Sequence, residues 1–256
     1  MATNEKETVV LIHGLSETRA AWSRQVAALS ETMNVLAYDI RGFGSSPTGR
    51  ADGTVQQMAD DLAQLVSAFA TAPVFLVGFS MGGVISQRFA LDFPELTRGL
   101  ILIASSCAVG RGGRAFFNQR IEAVETGGLE SLAVTNDSDA RGCFWTDSEA
   151  LIAEYKAIRI GAVRDPLGYL NACHAMLGIA DEPLTEQIAA IQKPTLVISG
   201  EHDPYCPPKA SAMIADAISG AEHVFIDDAG HCLQFEASDI LNKYIADFVR
   251  TNSSHE

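Results

Sequence analysis

The sequence predicts an α/β protein built on a doubly wound, mostly parallel sheet. Six short runs dominated by Val, Ile and Leu recur along the chain, and stretches of helical pattern separate most of them. Continuous apolar runs are typical of strands buried on both faces, as in a parallel sheet with helices on either side. The six predicted strands are residues 9–12, 35–38, 74–77, 100–104, 195–199 and 223–226.

Helices are expected between these strands. Trp22, Val26 and Leu29 follow the first strand at a spacing that places them on one helical face. Thr54 and Thr146 are predicted to begin two further helices, because each is followed three positions later by Gln or Glu, the spacing of a capping box.

One long stretch breaks the alternation. Apolar strand runs are missing from residue 108 to residue 184, where the pattern is mostly helical, and they resume at residue 195. We interpret residues 108–184 as a helical lid inserted into one α/β core, made of residues 1–107 and 185–256.

Composition and charge exclude several classes of protein. The chain has 256 residues, 47% of them hydrophobic, enough for one globular domain. Its net charge of −14 argues against nucleic acid and anionic membrane surfaces as partners, because the negative field of the protein would repel both. No signal peptide or membrane span is apparent, and five cysteines without paired spacing are expected to be free thiols in the cytoplasm. We expect neither a metal nor a cofactor.

The strongest motif surrounds Ser80. Residues 78–82 read G-x-S-x-G, between the third predicted strand and a predicted helix from residue 81 to about residue 92. In this context the motif indicates a nucleophile elbow, a tight turn that exposes the serine, with glycines that let strand and helix approach closely. A glycine-rich turn without chemistry, or an anion-binding loop, is the alternative.

A nucleophilic serine needs a base and a group that orients the base. His231 follows the sixth strand and Asp203 follows the fifth, in the order Ser, acid, His. His231 is therefore the predicted proton shuttle, and Asp203 is predicted to orient it. Three nearby carboxylates are rivals that we expect to be solvated: Glu201, Asp227 and Asp228.

The reaction also needs donors for a developing oxyanion. The backbone amide of Met81, directly after the nucleophile, is one predicted donor, and the amide of Leu15 in the loop after the first strand is the second. His13, in the same loop, is expected to be a structural histidine.

Taken together, these segments resemble the α/β-hydrolase superfamily over essentially the whole chain. The segments LIHGLSE, YDIRGFGSS, VGFSMGG, SGEHDPYCP and AGHC occur in that superfamily's order. Within it, the chain looks similar to 3-oxoadipate enol-lactonases and small bacterial carboxylesterases. The resemblance implies a cofactor-free enzyme that opens a lactone or cleaves an ester with water, in the first case within the catabolism of aromatic compounds.

The chain departs from that pattern in two places. Family members usually have an additional pair of strands before the first strand seen here, so the resemblance implies a shortened N-terminus. The strand at residues 35–38 would then lie at a sheet edge, and because an apolar edge favours pairing we expect a homo-oligomer. Cys232 stands where related lyases carry Lys and carbon–carbon hydrolases carry Trp, so neither activity is expected.

Contacts to a substrate are harder to predict. Phe79 and Trp145 are the expected substrate contacts, and aromatic residues of the insertion are equally expected to form its own core. Five arginines of the insertion are either candidates for binding a substrate carboxylate or, as is more common, solvated or paired with local Asp and Glu: Arg111, Arg114, Arg141, Arg159 and Arg164.

The sequence thus predicts a serine hydrolase that acts on a small carboxylic ester or lactone through an acyl-enzyme. Two alternatives stay open. One is a small-molecule receptor on a hydrolase fold, and the other is thioesterase or perhydrolase activity of the same three residues.

Overall fold

Six strands form one fully parallel sheet in the computed structural model, which describes residues 6–71 and 73–253. The strand order is β2-β1-β3-β4-β5-β6. Each of the six predicted runs matches one strand, although Tyr38 and Ala104 lie one residue beyond the ends of theirs, so the predicted sheet is confirmed. The strands are β1 (Thr8–Ile12), β2 (Asn34–Ala37), β3 (Val74–Phe79), β4 (Thr97–Ile103), β5 (Thr195–Gly200) and β6 (Glu222–Ile226).

Helices cover both faces of the sheet. Alternate residues of β1 enter two separate apolar clusters, Val10 on one face with Leu62 and Val9 on the other with Leu241. This alternation shows why a strand of a parallel sheet is apolar at every position. The helices of the core are α1 (Ser23–Leu29), α2 (Val55–Phe69), α3 (Met81–Asp92), α8 (Pro208–Ala217), α9 (Leu233–Glu236) and α10 (Ser238–Asn252).

Four α-helices lie between β4 and β5. They are α4 (Arg111–Gly127), α5 (Glu130–Gly142), α6 (Glu149–Ala162) and α7 (Pro166–Asp181). We call them the inserted helices. The division of the chain into a core and a lid at residues 108 and 184 stays a prediction.

One of the two predicted helix starts is correct. The Gln57 backbone N–H donates to Thr54 Oγ1 at 3.1 Å, so Thr54 caps α2. The prediction for Thr146 is wrong, because its hydroxyl donates instead to the carboxylate of Glu236 at 2.7 Å and α6 begins only at Glu149.

Strand β2 lies at an edge of the sheet, as predicted. Its apolar side chains are half-buried: Leu36 packs on one apolar cluster, while Val35 and Ala37 pack on the other. No strand precedes β1 within the described residues. The homo-oligomer stays a prediction. Within the same part of the chain, no helix combines the length and apolar character of a membrane span.

Candidate active site

Ser80 occupies a strained turn between β3 and α3. Its backbone has φ of 52° and ψ of −116°, a conformation that costs a residue other than glycine about 1 to 3 kcal/mol. A Cβ on Gly78 would lie 2.5 Å from the Gly82 carbonyl oxygen, and one on Gly82 would lie 2.2 Å from the Ile12 carbonyl oxygen. The glycines of the motif are therefore required by the close approach of β1, β3 and α3.

His231 and Asp203 are brought together at the carboxyl ends of β6 and β5. His231 Nδ1 lies 2.7 Å from Asp203 Oδ2, and both side chains are buried. Asp203 Oδ1 accepts hydrogen bonds from the backbone N–H groups of Tyr205 and Cys206, at 2.8 and 2.9 Å. Because the Asp203 carboxylate accepts a hydrogen bond from Nδ1–H, the proton of the neutral ring stays on Nδ1, and Nε2 of His231 is left as the basic nitrogen.

The charge of the imidazole responds to this arrangement. Burial disfavours the charged form of His231, but the carboxylate of Asp203 and its hydrogen bond outweigh burial, so the pKa of His231 is raised above its ordinary value. The charges of Cys143 and Glu17 also raise the pKa of His231.

The loop after β1 holds the predicted second oxyanion donor. The His13 ring nitrogen Nδ1 donates to the carbonyl oxygen of Gly14 at 2.8 Å. In a trans peptide the N–H points away from the C=O, so the N–H of Leu15 is directed opposite to that bond. Met81 begins α3, where the first backbone N–H groups of a helix lack partners within the helix.

These groups surround one cavity of about 560 Å³. Ser80, His231, Leu15, Met81 and Phe79 all line it, and Asp203 lies behind His231. The inserted helices contribute a further wall with Phe116, Phe117, Tyr155, Arg159 and Tyr169. The cavity therefore brings together the predicted triad, both predicted amide donors and one predicted substrate contact.

Trp145, the other predicted substrate contact, does not line this cavity. Its side chain is 53% exposed and stacks on the ring of His202, with 3.6 Å between the ring centroids. The Trp145 backbone N–H donates to Glu236 at 2.7 Å, which fixes this loop with the indole outside. Tyr155 lines the cavity instead.

Of the five candidate arginines, Arg159 lines the cavity. Its guanidinium donates to Asp139 at 3.2 Å and to Asn136 at 3.1 Å. Arg114 pairs with the exposed carboxylate of Asp181 at 2.7 Å. The three rival carboxylates near the triad are all exposed, as expected: Glu201, Asp227 and Asp228.

One group of side chains has the spacing for a metal ion. Glu201, His202 and Asp228 place one ligand atom each within 4.8 Å of one another. The two carboxylates are exposed, and the His202 ring is stacked on Trp145. This group alone does not define a site, and the predicted lack of a metal or cofactor stays a prediction.

His13 should make the fold sensitive to acid. Its Nε2 accepts the Ile40 backbone N–H at 2.9 Å, and burial lowers the pKa of His13 to about 4 from an ordinary 6.5. Between these two values the unfolded chain binds a proton that the folded chain does not, so stability falls as the pH drops. We expect His13 to remove about 3 kcal/mol of unfolding free energy between pH 7 and pH 4.

Urea unfolding of wild type and His13→Gln across this pH range would measure the effect. The variant should show a flatter dependence on pH, and equal slopes would contradict the assignment. His231→Gln is the control of opposite sign, because the pKa of His231 is raised and its contribution is present below pH 6.5 and lost as the pH rises.

The parallel sheet, the serine elbow and the histidine–carboxylate pair at the strand ends define an enzyme of the α/β-hydrolase superfamily. A model of the Hydrolase_4 family, described as serine aminopeptidase S33, matches residues 3–238. The chain belongs to this family, and it is a hydrolase.

Proteins of known name are similar to this chain over most of its length. RutD of Pantoea ananatis (strain LMG 20103), whose name assigns it carbamate hydrolysis, is 27% identical and aligns over 98% of this chain and 91% of its own. 3-Oxoadipate enol-lactonase 1 of Acinetobacter baylyi is 28% identical over 90% of this chain and 80% of its own.

Solved structures of hydrolases have the same fold as this chain. The enol-lactonase from Burkholderia xenovorans LB400 has a TM-score of 0.87 and 28% identity, covering 98% of this chain and 94% of that one. An esterase from Thermogutta terrifontis with malate bound has a TM-score of 0.85 and 25% identity, covering 98% and 92%. The predicted resemblance to enol-lactonases and small esterases is confirmed.

Proposed function

We propose that the chain is a serine hydrolase that cleaves a small carboxylic ester or lactone through an acyl-enzyme. The observation that carries the proposal is that Ser80, on a strained elbow, and His231, bonded to Asp203 at 2.7 Å, line the same cavity. A buried histidine–carboxylate pair of this kind activates a serine as a nucleophile.

In the first half of the reaction, Ser80 Oγ attacks the carbonyl carbon while His231 Nε2 removes the hydroxyl proton. The carbonyl oxygen becomes negative and is stabilised by the amides of Leu15 and Met81. When the bond to the leaving oxygen breaks, His231 returns the proton to that oxygen, which leaves an acyl group on Ser80. In a lactone, the new alcohol stays tethered to this acyl group.

In the second half, His231 removes a proton from water, and the resulting hydroxide attacks the acyl carbon. Breaking the bond to Ser80 Oγ then releases a carboxylic acid and regenerates the serine with the proton held by His231. Asp203 stabilises the imidazolium in both halves.

The inserted helices serve as a lid in this proposal. Tyr155, Arg159 and Phe116 close the cavity from that side. The Cys143 carbonyl oxygen, just after α5, accepts the backbone N–H of His231 at 2.8 Å, so the insertion contacts the loop that carries the base. We also propose a cytoplasmic location, on the ground that all five cysteines are free thiols.

A substrate panel tests the proposal. It contains p-nitrophenyl acetate and butyrate, a p-nitrophenyl carbamate and several lactones, including 3-oxoadipate enol-lactone. An ester of butyrate size with a free carboxylate is added, because Arg159 lines the cavity. We expect many turnovers per enzyme on at least one ester or lactone. A single turnover would favour a receptor, and turnover of acyl-CoA or peracids alone would favour the thioesterase or perhydrolase alternative.

A further inference from the structure

Glu17 is a fully buried acidic residue beside the loop that follows β1. Its Oε2 accepts the backbone N–H of Gly14 at 3.0 Å. Its Oε1 accepts the hydroxyl of Tyr155 at 2.7 Å and the side-chain amide of Gln234 at 3.2 Å. A buried carboxylate is costly unless such donors satisfy it, so these three contacts need an explanation.

The three donors belong to three different segments around the cavity. Gly14 lies in the loop after β1, Tyr155 on α6 of the insertion, and Gln234 on α9, three residues after His231. One carboxylate thus fixes the relative position of the loop, the inserted helices and the segment that carries the base.

Gly14 is held on both sides. Glu17 binds its N–H, and the His13 ring binds its C=O at 2.8 Å. A Cβ on Gly14 would lie 2.9 Å from the Phe79 ring and 3.4 Å from Ser80 Cβ, so the loop packs directly against the elbow. A small shift of this loop would therefore move the next amide, that of Leu15, relative to Ser80.

We propose that Glu17 is a positioning residue of the reaction, which holds the Leu15 amide where it meets the oxyanion and links that position to α6 and to the His231 segment. The inference rests on the proposed function above, since it requires a reaction in which an oxyanion forms next to Ser80.

The charges around Glu17 agree with this role. Burial raises the pKa of Glu17, while its hydrogen bonds to Gly14 and Tyr155 and the nearby charges of Arg159 and His231 oppose the rise. All three hydrogen bonds are donated to Glu17, which suits the ionised carboxylate. The groups that raise the pKa of His231 are Asp203, Cys143 and Glu17, so removing the Glu17 charge should lower that pKa.

Glu17→Gln is the direct test. An amide has one oxygen and cannot accept through nitrogen, so at least one of the three donors loses its acceptor at nearly constant volume. Removing an oxyanion donor outright costs about 10² to 10³ in kcat, and displacing one should cost less. We expect kcat to fall about 10- to 100-fold with KM within twofold, and the acidic limb of the pH profile to move to lower pH.

Two further variants separate positioning from general stability. Glu154→Gln removes a different carboxylate, a partly exposed one on α6 that pairs with Arg24 at 2.7 Å, and it should leave kcat unchanged. Gln234→Leu keeps Glu17 and removes one of its donors, and it replaces Glu17→Gln as the test if that variant does not fold. It should lower kcat more than twofold.

Rates are expressed per reactive Ser80, counted by titration with a fluorophosphonate. A residue needed only for folding would lower the titrated fraction and leave both kcat and the pH profile unchanged. A kcat within twofold of wild type in the variant that folds would overturn the proposal.

The same reagent separates the two proposals. If wild type hydrolyses nothing in the panel but Ser80 is phosphonylated, the proposed substrate class fails, and Glu17 is judged from the phosphonylation rate, which should fall in Glu17→Gln. If Ser80 does not react at all, no oxyanion forms there and the Glu17 proposal fails with it.

Discussion

Ser80→Ala should lower kcat on every substrate that the wild type turns over by about 10⁴-fold or more. Alanine keeps the Cβ but has no oxygen to form the acyl-enzyme, so only the amide donors and the binding cavity remain to accelerate the reaction with water. Steady-state hydrolysis of the panel measures the loss, and circular dichroism with thermal unfolding checks that the fold is intact.

The structure suggests a rival nucleophile for this experiment. Cys206 also lines the cavity, and burial raises the pKa of its thiol well above the ordinary value, which leaves little thiolate. Cys206→Ala should therefore retain far more activity than Ser80→Ala. If Cys206→Ala were inactive and Ser80→Ala active, the thiol and not the hydroxyl would be the nucleophile.

The strained elbow gives a second readout in the same series. Ser80 has a positive φ of 52°, which alanine must adopt with the same strain, whereas glycine adopts it freely. Ser80→Gly should therefore be as inactive as Ser80→Ala, but its free energy of unfolding should not be lower than that of Ser80→Ala.

Much of the fold and the central site could be predicted because their signals are local. The six strands are continuous apolar runs, and Ser80 lies in a five-residue motif that needs a strand before it and a helix after it. Asp203 and His231 lie in the loops that follow β5 and β6, and the carboxyl ends of parallel strands converge at one edge of the sheet. In these cases the local sequence and the order of the strands were sufficient to predict the element and the place of the residue in the site.

Contacts between distant segments could not be predicted in this way. Glu17 lies 138 residues from Tyr155 and 217 from Gln234 in sequence, yet it is hydrogen-bonded to both. In the sequence it is one charged residue in a loop, the usual pattern of a solvated carboxylate. Its burial depends on how the inserted helices pack on the core.

The position of Trp145 outside the cavity could not be predicted for the same reason, because the orientation of its side chain depends on contacts between distant segments. An aromatic residue in the insertion is a reasonable wall for a cavity, but which aromatic residue faces inward depends on the orientation of the loop before α6. Glu236 accepts the backbone N–H groups of Trp145 and Thr146, so a single carboxylate from α9 determines both the exposed indole and the late start of α6. Neither the exposure of Trp145 nor the start of α6 at Glu149 can be read from the residues next to them in the sequence.

Asp203→Asn should have the second large effect, a fall in kcat of about 10⁴-fold. The Asp203 carboxylate accepts a hydrogen bond from His231 Nδ1–H at 2.7 Å, so Nε2 is free to act as base. An asparagine amide can donate to Nδ1 instead, which would place the proton on Nε2, where it blocks the transfer from Ser80. The two backbone bonds to Asp203 Oδ1 can persist in the variant, so the loop should stay folded.

The pH profile makes this prediction specific. The carboxylate raises the pKa of His231, and the base must be neutral to work, so wild-type kcat/KM should rise with pH through a value above 6.5. Without the negative charge, the pKa of His231 drops and the acidic limb of the residual activity should move to lower pH.

Asp228→Asn is the matched control. It removes an exposed carboxylate, and asparagine tolerates the backbone φ of 50° at this position. A large loss of kcat in Asp228→Asn with little loss in Asp203→Asn would show that Asp203 does not orient His231. A loss of kcat in Asp203→Asn without a shift of the acidic limb would mean that this carboxylate orients His231 without setting its charge.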